Sequence, residues 1–277
     1  MSEFPIPLVD RIAGGDAQAD IYSMFRLRQG YVGACRRVRR ASDNALLDVG
    51  FAASGAYDIE RELAWAGTSD VYLVRWYNQS AAAGNGRPGY LAAADSPGAP
   101  RTRIAGGVVS VHGDPAIEMQ SGSWLAPEPH IPIAAERTVS VVWIGCVGAG
   151  DGYDSGLWSI HEEGIDDART CEVDGFDRSL IRDRGIGYGR AALYTRANGD
   201  FSALSLIVAV HQVVSPWQTM AWVNGGVRPV SYQGSVGGIG VGAAQLLGPN
   251  RVHTFIVDAA TESTIAAAVV GQYELRS

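Results

Sequence analysis

Lysine is absent from this 277-residue sequence, and all 22 basic residues are arginine. Against 29 acidic residues they leave a formal net charge of −7. A protein that neutralises nucleic-acid phosphates needs a basic surface, so this acidic balance argues against a nucleic-acid binder. We interpret the one dense basic cluster, which contains Arg36, Arg37, Arg39 and Arg40, as a solvated strand face.

Cysteine is nearly absent as well. Cys35, Cys146 and Cys171 form an odd set without a CxxC spacing, which argues against a disulfide framework and against a zinc site. Asp151 and Asp154 lie in a Gly-Asp loop that could offer oxygen ligands to Ca²⁺, but the spacing of a known calcium loop is missing. The sequence therefore predicts buried thiols, a solvated acidic loop, and no metal or other cofactor.

Long apolar runs are missing too. The start MSEFPIPLVD has neither a basic segment nor an apolar segment of the kind found in signal peptides, so we expect no secretion signal. His211 and Gln212 interrupt the most apolar stretch, residues 204–214, and no run reaches the roughly 18 apolar residues of a membrane span. These observations predict folding in a cytoplasm and no membrane insertion.

Glycine, by contrast, is abundant, with 35 glycines and 12 prolines that punctuate short apolar segments such as VYLVRWY at 71–77. Many turn-separated apolar runs are typical of an all-β protein. Asp58 can cap a short helix over 58–67 that Gly67 ends, and a second short helix is predicted over 261–271. The pattern predicts one sandwich domain over 21–277 behind an extended N-terminal arm, residues 1–20, which is a possible attachment peptide.

Two blocks of the sequence carry a resemblance to a known family. The segments YSMFRLRQGYVGACRRVRRASDNALLDVGF, DIERELAWAG and VYLVRWYNQSAAAGNG resemble the start of the arabinofuranosidase B catalytic domain, and more closely its relatives in phage structural proteins. The segments AWVNGGVRPV, GGIGVG and FIVDAATESTIAAAVVGQYEL resemble the end of concanavalin A-like sandwiches. The resemblance implies a concanavalin A-like two-sheet jelly roll with two short peripheral helices and a sugar-binding ancestry.

Residues 77–80, Tyr-Asn-Gln-Ser, raise the question of whether this turn is a site or a scaffold corner. In the family the matching Tyr-Asp-Gln-Ser turn is a structural corner. Asn78, which replaces the usual Asp, and Ser80 can hydrogen-bond backbone groups two residues on. We therefore predict that the turn holds the fold and binds no ligand.

Hydrolysis of a glycoside generally needs two carboxylates that flank the bond. When the family's catalytic segments are laid on this chain, the nucleophilic Glu falls on Ala197 and the acid/base Asp on Gly242 or Ala243. The family's adjacent cysteine pair is also missing from GLWSIHEEG, residues 156–164. The resemblance thus implies a protein with no catalytic residues, with displaced carboxylates as the alternative.

Sugar binding needs only aromatic faces and a few polar groups. Trp65, Trp76 and Trp143 lie in apolar segments and are predicted core residues, whereas Trp124 lies near a loop. The two segments that resemble the walls of the family's pocket supply the predicted carbohydrate-binding residues, Trp158, Tyr188, Tyr194 and Asn198.

Three functions are compatible with these features. The first is a non-enzymatic surface protein of a phage or gene transfer agent virion, in a head spike or tail fibre, that binds cell-surface or capsular polysaccharide. It would contact other virion proteins through the N-terminal arm and assemble as a homo-oligomer. The second is an arabinofuranosidase-like hydrolase, and the third is a structural capsid or spike protein without a ligand.

Overall fold

The structure is a computed structural model. It describes the following residues: 19–81, 83–84, 88–93, 99–111, 113–121, 123–128, 138–147, 155–162, 168–173, 180–184, 195–196, 205–212, 219–223, 226–228, 242–247 and 250–258. Beyond residue 128, side chains are described at 141–147, 157 and 251–257. The predicted helix at 261–271 and most of the predicted arm therefore lie outside the described residues.

Strands dominate the described part of the chain, which contains a single helix, α1 (Ile59–Ala66). The strands are β1 (Ala19–Ser23), β2 (Arg36–Arg40), β3 (Leu46–Val49), β4 (Val71–Tyr77), β5 (Tyr90–Ala93), β6 (Arg101–Ile104), β7 (Gly107–Val108), β8 (Ser110–Val111), β9 (Asp114–Pro115), β10 (Ile117–Met119), β11 (Trp124–Glu128), β12 (Thr138–Cys146), β13 (Ser155–Glu162), β14 (Ala168–Val173), β15 (Leu180–Arg184), β16 (Thr195–Arg196), β17 (Ser205–Gln212), β18 (Thr219–Val223), β19 (Gly226–Arg228), β20 (Gly242–Leu247) and β21 (Asn250–Asp258).

Antiparallel pairing arranges most of these strands in two layers, while β7 pairs with β6, and β8 and β9 form a separate two-stranded sheet. One layer runs β19-β18-β17-β12-β21, and β1 and β10 share the other edge of β21. The second layer runs β3-β2-β4-β5-β11-β20-β13-β14-β15-β16. Strand β6 connects the layers because it pairs with both β4 and β10. The predicted all-β, concanavalin A-like two-sheet sandwich is confirmed.

The core lies between the two layers. Tyr22 of β1 lies 6.1 Å from Trp76 of β4 and 6.4 Å from Phe255 of β21, measured between ring centroids. Trp76 and Trp143 are fully buried, and Trp65 of α1 packs against the same cluster from its edge. The prediction that these residues belong to the core is confirmed for Trp76 and Trp143, whereas Trp65 is only partly buried at its border.

The hairpin expected within 34–51 forms from β2 and β3, which pair from Arg36↔Val49 to Arg39↔Leu46. Asn44 in its turn has φ 59°, a left-handed conformation that Asn tolerates better than most residues. The carboxylate of Asp43 accepts a hydrogen bond from the backbone N–H of Ala45 at 3.1 Å and closes the turn.

Helix α1 begins and ends where its capping residues predict. The carboxylate of Asp58 accepts a hydrogen bond from the backbone N–H of Arg61 at 3.2 Å, and the N–H of Gly67 donates to the carbonyl of Leu63 at 3.1 Å. Gly67 has φ 61°, a conformation that glycine adopts without strain. Ala66 is buried, but so is Glu62, which the apolar pattern did not indicate.

Strand β1 begins at Ala19, two residues before the predicted start of the sandwich at residue 21, and pairs Ala19 with Asp258. The last two residues assigned to the arm therefore belong to the sheet. Residues 1–18, which contain its apolar segment FPIPLVD, lie outside the described residues.

Candidate functional site

The four predicted carbohydrate-binding residues fall largely outside the described residues. The backbone of Trp158 lies in β13, opposite Cys171 of β14 and Leu246 of β20. Its side chain is not among those described, and neither are Tyr188, Tyr194 and Asn198. The assignment of these residues to a binding site stays a prediction.

The 77–80 turn is a buried corner held by the Asn78 side chain. Its amide oxygen accepts hydrogen bonds from the backbone N–H groups of Ile21 and Ser80, both at 2.9 Å. Its amide nitrogen donates to the Asp20 carboxylate at 2.8 Å and to the Pro88 carbonyl at 2.9 Å. The predicted bond to the group two residues on is confirmed, and Asn78 also ties three separate segments together.

The side chain of the adjacent Gln79 also hydrogen-bonds backbone groups of the N-terminal segment. Its side-chain oxygen accepts from the Leu27 backbone N–H at 2.9 Å, and its nitrogen donates to the carbonyls of Ser23 and Phe25, both at 3.0 Å. Asn78, Gln79 and Ser80 are each at most 3% exposed. Asn78, Gln79 and Ser80 thus satisfy backbone groups between the layers and offer no accessible polar group to a ligand, whereas Tyr77 is half-buried and its hydroxyl donates to Asp48.

A second buried polar cluster surrounds Glu62 of α1. Arg36 donates to Glu62 at 2.8 Å, the Thr102 hydroxyl donates to it at 3.0 Å, and the Tyr57 hydroxyl contacts it as well. The Arg36 guanidinium also lies 3.8 Å from the centre of the Tyr57 ring. The interpretation of Arg36 as part of a solvated face was wrong, because its partner carboxylate draws it into the core.

Burial and ion pairing shift the pKa of Glu62 in opposite directions. Burial raises the pKa of Glu62, but the Arg36 charge and hydrogen bonds from Tyr57, Arg36 and Thr102 together hold the pKa of that carboxyl below its usual value. Burial raises the pKa of Tyr57 well above its usual value, so the phenol stays protonated. Glu62 is ionised and fully enclosed, which makes it a structural charge inaccessible to substrate.

Arg37 and Arg39 point to the opposite side of β2, whereas Arg40 lies over the Trp65 ring of α1. Strand register places Arg39 of β2, Tyr72 of β4, Arg101 of β6, Glu118 of β10 and Arg251 of β21 in one continuous row. Directly paired residues of antiparallel strands project to the same face of a sheet. Glu118 binds Arg101 at 3.1 Å and Arg251 at 3.2 Å.

A second group lies next to this row on the same face. Arg37 pairs in register with Arg75, and its guanidinium binds Asp48 at 2.9 Å. The Tyr77 hydroxyl donates to the same carboxylate at 2.8 Å, and the rings of Tyr77 and Tyr90 meet edge to face at 6.2 Å. All five residues are half-buried, so they are ordered and still reach solvent.

We call this surface the outer arginine face. It consists of Arg37, Arg39, Arg75, Arg101 and Arg251 together with Tyr72, Tyr77 and Tyr90. Three carboxylates lie on it or at its border, those of Asp48, Glu118 and Glu128, the last paired in register with Tyr90. The hydrogen bond from Arg37 is the main reason that the pKa of Asp48 lies below its usual value, so this carboxylate is charged.

Two guanidinium groups of the outer arginine face form no ion pair with a carboxylate in the described part of the chain, although the charge of Arg75 contributes to the lowered pKa of Asp48. Arg75 lies 4.2 Å from the centre of the Tyr90 ring, and Arg39 lies 5.1 Å from that of Tyr72 and donates to the Asn44 side chain at 2.7 Å. The sequence analysis placed Arg37 and Arg39 on a solvated strand face, in line with their alternation around buried Val38, but it did not bring Arg75, Arg101 and Arg251 to that face.

Metal ions, membranes and reactive thiols are the other possibilities to consider within the described ranges. No group of three His, Cys, Asp or Glu residues there could hold a metal ion. No helix in those ranges is long and apolar enough to cross a membrane. Cys35 and Cys146 are buried free thiols, as predicted, and burial raises the pKa of Cys35 to about 12.

These features define a two-layer β-sandwich with an exposed arginine-rich sheet face. No protein-family model matches the sequence. No curated protein matches it either.

Solved structures do match the fold. An arabinofuranosidase in complex with arabinofuranosyl-alpha-1,2-xylobiose is similar over 97% of this chain, with a TM-score of 0.60 and 13% sequence identity. A GH54 α-L-arabinofuranosidase soaked with a cyclic sulfate inhibitor gives the same values, and the chain spans 64% of the length of each. A Trypanosoma rangeli sialidase matches 72% of this chain and 30% of its own with a TM-score of 0.44, too loosely to define a shared fold. At this identity the arabinofuranosidase likeness establishes a common sandwich architecture.

Proposed function

We propose that this protein is a non-enzymatic surface protein of a phage or gene transfer agent virion and that it binds host cell-surface or capsular polysaccharide. It would sit in a head spike or tail fibre, assembled in the bacterial cytoplasm and released with the particle. The N-terminal resemblance to phage structural proteins supports the virion role. The likeness to carbohydrate-active enzymes of the same fold supports the class of ligand.

One observation carries the non-enzymatic part of this proposal. The chain shares the architecture of arabinofuranosidases, yet the positions that match the family's catalytic carboxylates hold Ala197 and Gly242 or Ala243. Loss of general acid–base assistance alone costs about 10²–10⁴ in rate. Glu62 cannot replace either group, because it is enclosed and ion-paired.

Strand register favours one alternative function specifically. Glu162 of β13 lies directly opposite Gly242, and His161 opposite Ala243, across the β13–β20 pair. A carboxylate displaced to the neighbouring strand would stand beside the position of the missing acid. This second candidate is an arabinofuranosidase-like hydrolase in which Glu162 is the acid/base residue.

A paired assay separates the two functions. The purified chain is coupled to beads at high density and tested for retention of capsular polysaccharide, and in solution it is tested for release of nitrophenol from a nitrophenyl arabinofuranoside. We expect retention without release. Turnover above about 1 s⁻¹ that Glu162→Gln abolishes would establish the hydrolase instead, and absence of both would leave a structural spike protein without a ligand.

Binding by one copy is expected to be weak. A shallow sheet face that meets one glycan segment suggests a dissociation constant of about 0.1–1 mM, or about 4–5.5 kcal/mol. Several copies on one particle raise the avidity by about 10²–10⁴ without new contacts. The isolated chain should therefore bind poorly, and an oligomer or decorated bead well.

The predicted site and arm can be tested on the particle itself. Replacing Trp158 and Tyr188 by Ala should reduce adsorption to capsulated cells and leave the melting temperature unchanged. Unchanged adsorption with a sharply lower melting temperature would make them core residues. Deleting residues 2–18 should leave the domain folded but stop its incorporation into particles, and continued incorporation would refute the attachment role of the arm.

A further inference from the structure

We propose that the outer arginine face is a binding site for an anionic polysaccharide, one whose sugars carry carboxylates. This proposal rests on the proposed polysaccharide-binding function and adds the ligand's chemical class and a location. The location differs from the predicted Trp158 site. It follows from the arrangement of guanidinium groups on β2, β4, β6 and β21.

On the outer arginine face, guanidinium groups cover two of the three tyrosine rings. Arg75 covers Tyr90 and Arg39 covers Tyr72, so two of the three rings are not open to the C–H groups of a neutral sugar. A guanidinium fork matches a carboxylate with two parallel hydrogen bonds. The chemistry of the exposed atoms thus favours an acidic sugar over a neutral one.

These arginines are also held in place before any ligand arrives. Arg37 is fixed by Asp48, and Arg101 and Arg251 are fixed by Glu118. Because rotamer freedom is already restricted, less conformational entropy is lost on binding. Arg75 and Arg39 form no ion pair with a carboxylate in the described residues. Their guanidinium groups are therefore the ones available to bind a carboxylate of the ligand.

The spacing of the two groups suits a sparse polyanion. Arg75 is paired with Arg37, which lies two residues from Arg39 on β2, so the two positions are about 8 Å apart at the usual strand rise and strand spacing. Duplex DNA presents a charge about every 1.7 Å along its axis and rewards a dense basic surface. The outer arginine face carries five arginines and three carboxylates, on a chain of net charge −7. This low density of positive charge favours a ligand with widely spaced carboxylates over one with closely spaced phosphates.

The test uses bead-coupled full-length protein and two forms of one polymer, polygalacturonate and the same polymer with its carboxylates reduced to alcohols. We expect retention of polygalacturonate, weak retention of the reduced polymer, and a decline with added salt, because exposed charges are screened. Arg75→Glu and Arg39→Glu should each lower retention of polygalacturonate at least about tenfold, the usual scale for a charge-assisted hydrogen bond.

The matched control is Arg61→Glu, which makes the same charge change at an exposed position on α1. It should retain polygalacturonate as the unaltered protein does, and melting temperatures of all three variants confirm that the comparison is between folded proteins. An equal loss in Arg61→Glu would reduce the effect to net charge and overturn the site. If Arg75→Glu alone unfolds the protein, Arg39→Glu still decides the question.

The remaining outcomes separate this proposal from the proposed function. Equal retention of the reduced polymer overturns the anionic site and leaves polysaccharide binding intact. Failure to retain either polymer or any capsular polysaccharide overturns both. Retention of single-stranded DNA as strong as that of polygalacturonate would show a general polyanion surface and would overturn the assignment to a polysaccharide.

Discussion

Replacing Asn78 with Asp, the residue usual in the resembling family, should strongly destabilise this protein. A carboxylate at this position keeps the two bonds accepted from Ile21 and Ser80. It loses both donated bonds and instead faces the Asp20 carboxylate at 2.8 Å and the Pro88 carbonyl at 2.9 Å. Asn78 is 1% exposed, so water cannot screen these contacts between acceptor atoms.

The magnitude follows from the two lost bonds. Each buried group left without a partner costs about 1–3 kcal/mol, so Asn78→Asp should lower the free energy of unfolding by about 2–6 kcal/mol at pH 7. Two facing carboxylates raise the pKa of one of them in the folded state, because protonation restores a donor. The folded protein then binds more protons than the unfolded chain, so the loss should shrink as the pH falls below that raised pKa.

Urea unfolding at pH 7 and pH 5, followed by tryptophan fluorescence, measures both effects. Asn78→Asp combined with Asp20→Asn returns one donor to the pair and should recover a large part of the loss, whereas Asp20→Asn alone should not stabilise the protein. A loss below about 1 kcal/mol at pH 7 that is also independent of pH would show that the Asn78 amide does not hold the corner.

Two further predictions concern buried charges. Glu62→Gln should lower the free energy of unfolding by about 3–5 kcal/mol, because it leaves the Arg36 guanidinium buried without a counter-charge; a cost in urea unfolding similar to that of a surface Glu→Gln change would contradict this. Burial lowers the pKa of His253 from 6.5 to about 4, so the unfolded chain takes up a proton that the folded protein does not. Stability should therefore fall by about 3 kcal/mol as the pH drops from 6.5 towards 4, and a His253→Phe variant with the same acid sensitivity would exclude His253 as the cause.

Much of the architecture could be predicted because its signals are local. The alternation in β4, the Asn44 turn of the β2–β3 hairpin and the caps at Asp58 and Gly67 each depend on residues within a few positions of one another. Hydrophobic burial and backbone preference act at that range. The same holds for the structural role of Asn78, although its bonds to Asp20 and Pro88 join segments 58 and 10 residues away.

Only the tertiary structure determined which arginines are buried and which form an accessible face. Arginine is rarely buried, so the whole RRVRR cluster was expected in solvent, although strand alternation places Arg36 on the same side as buried Val38. The burial of Arg36 depends on Glu62, 26 residues further along, and on Thr102 from another strand. The outer arginine face likewise needs the register of β2, β4, β6, β10 and β21, because five residues far apart in sequence form a row only once those strands pair.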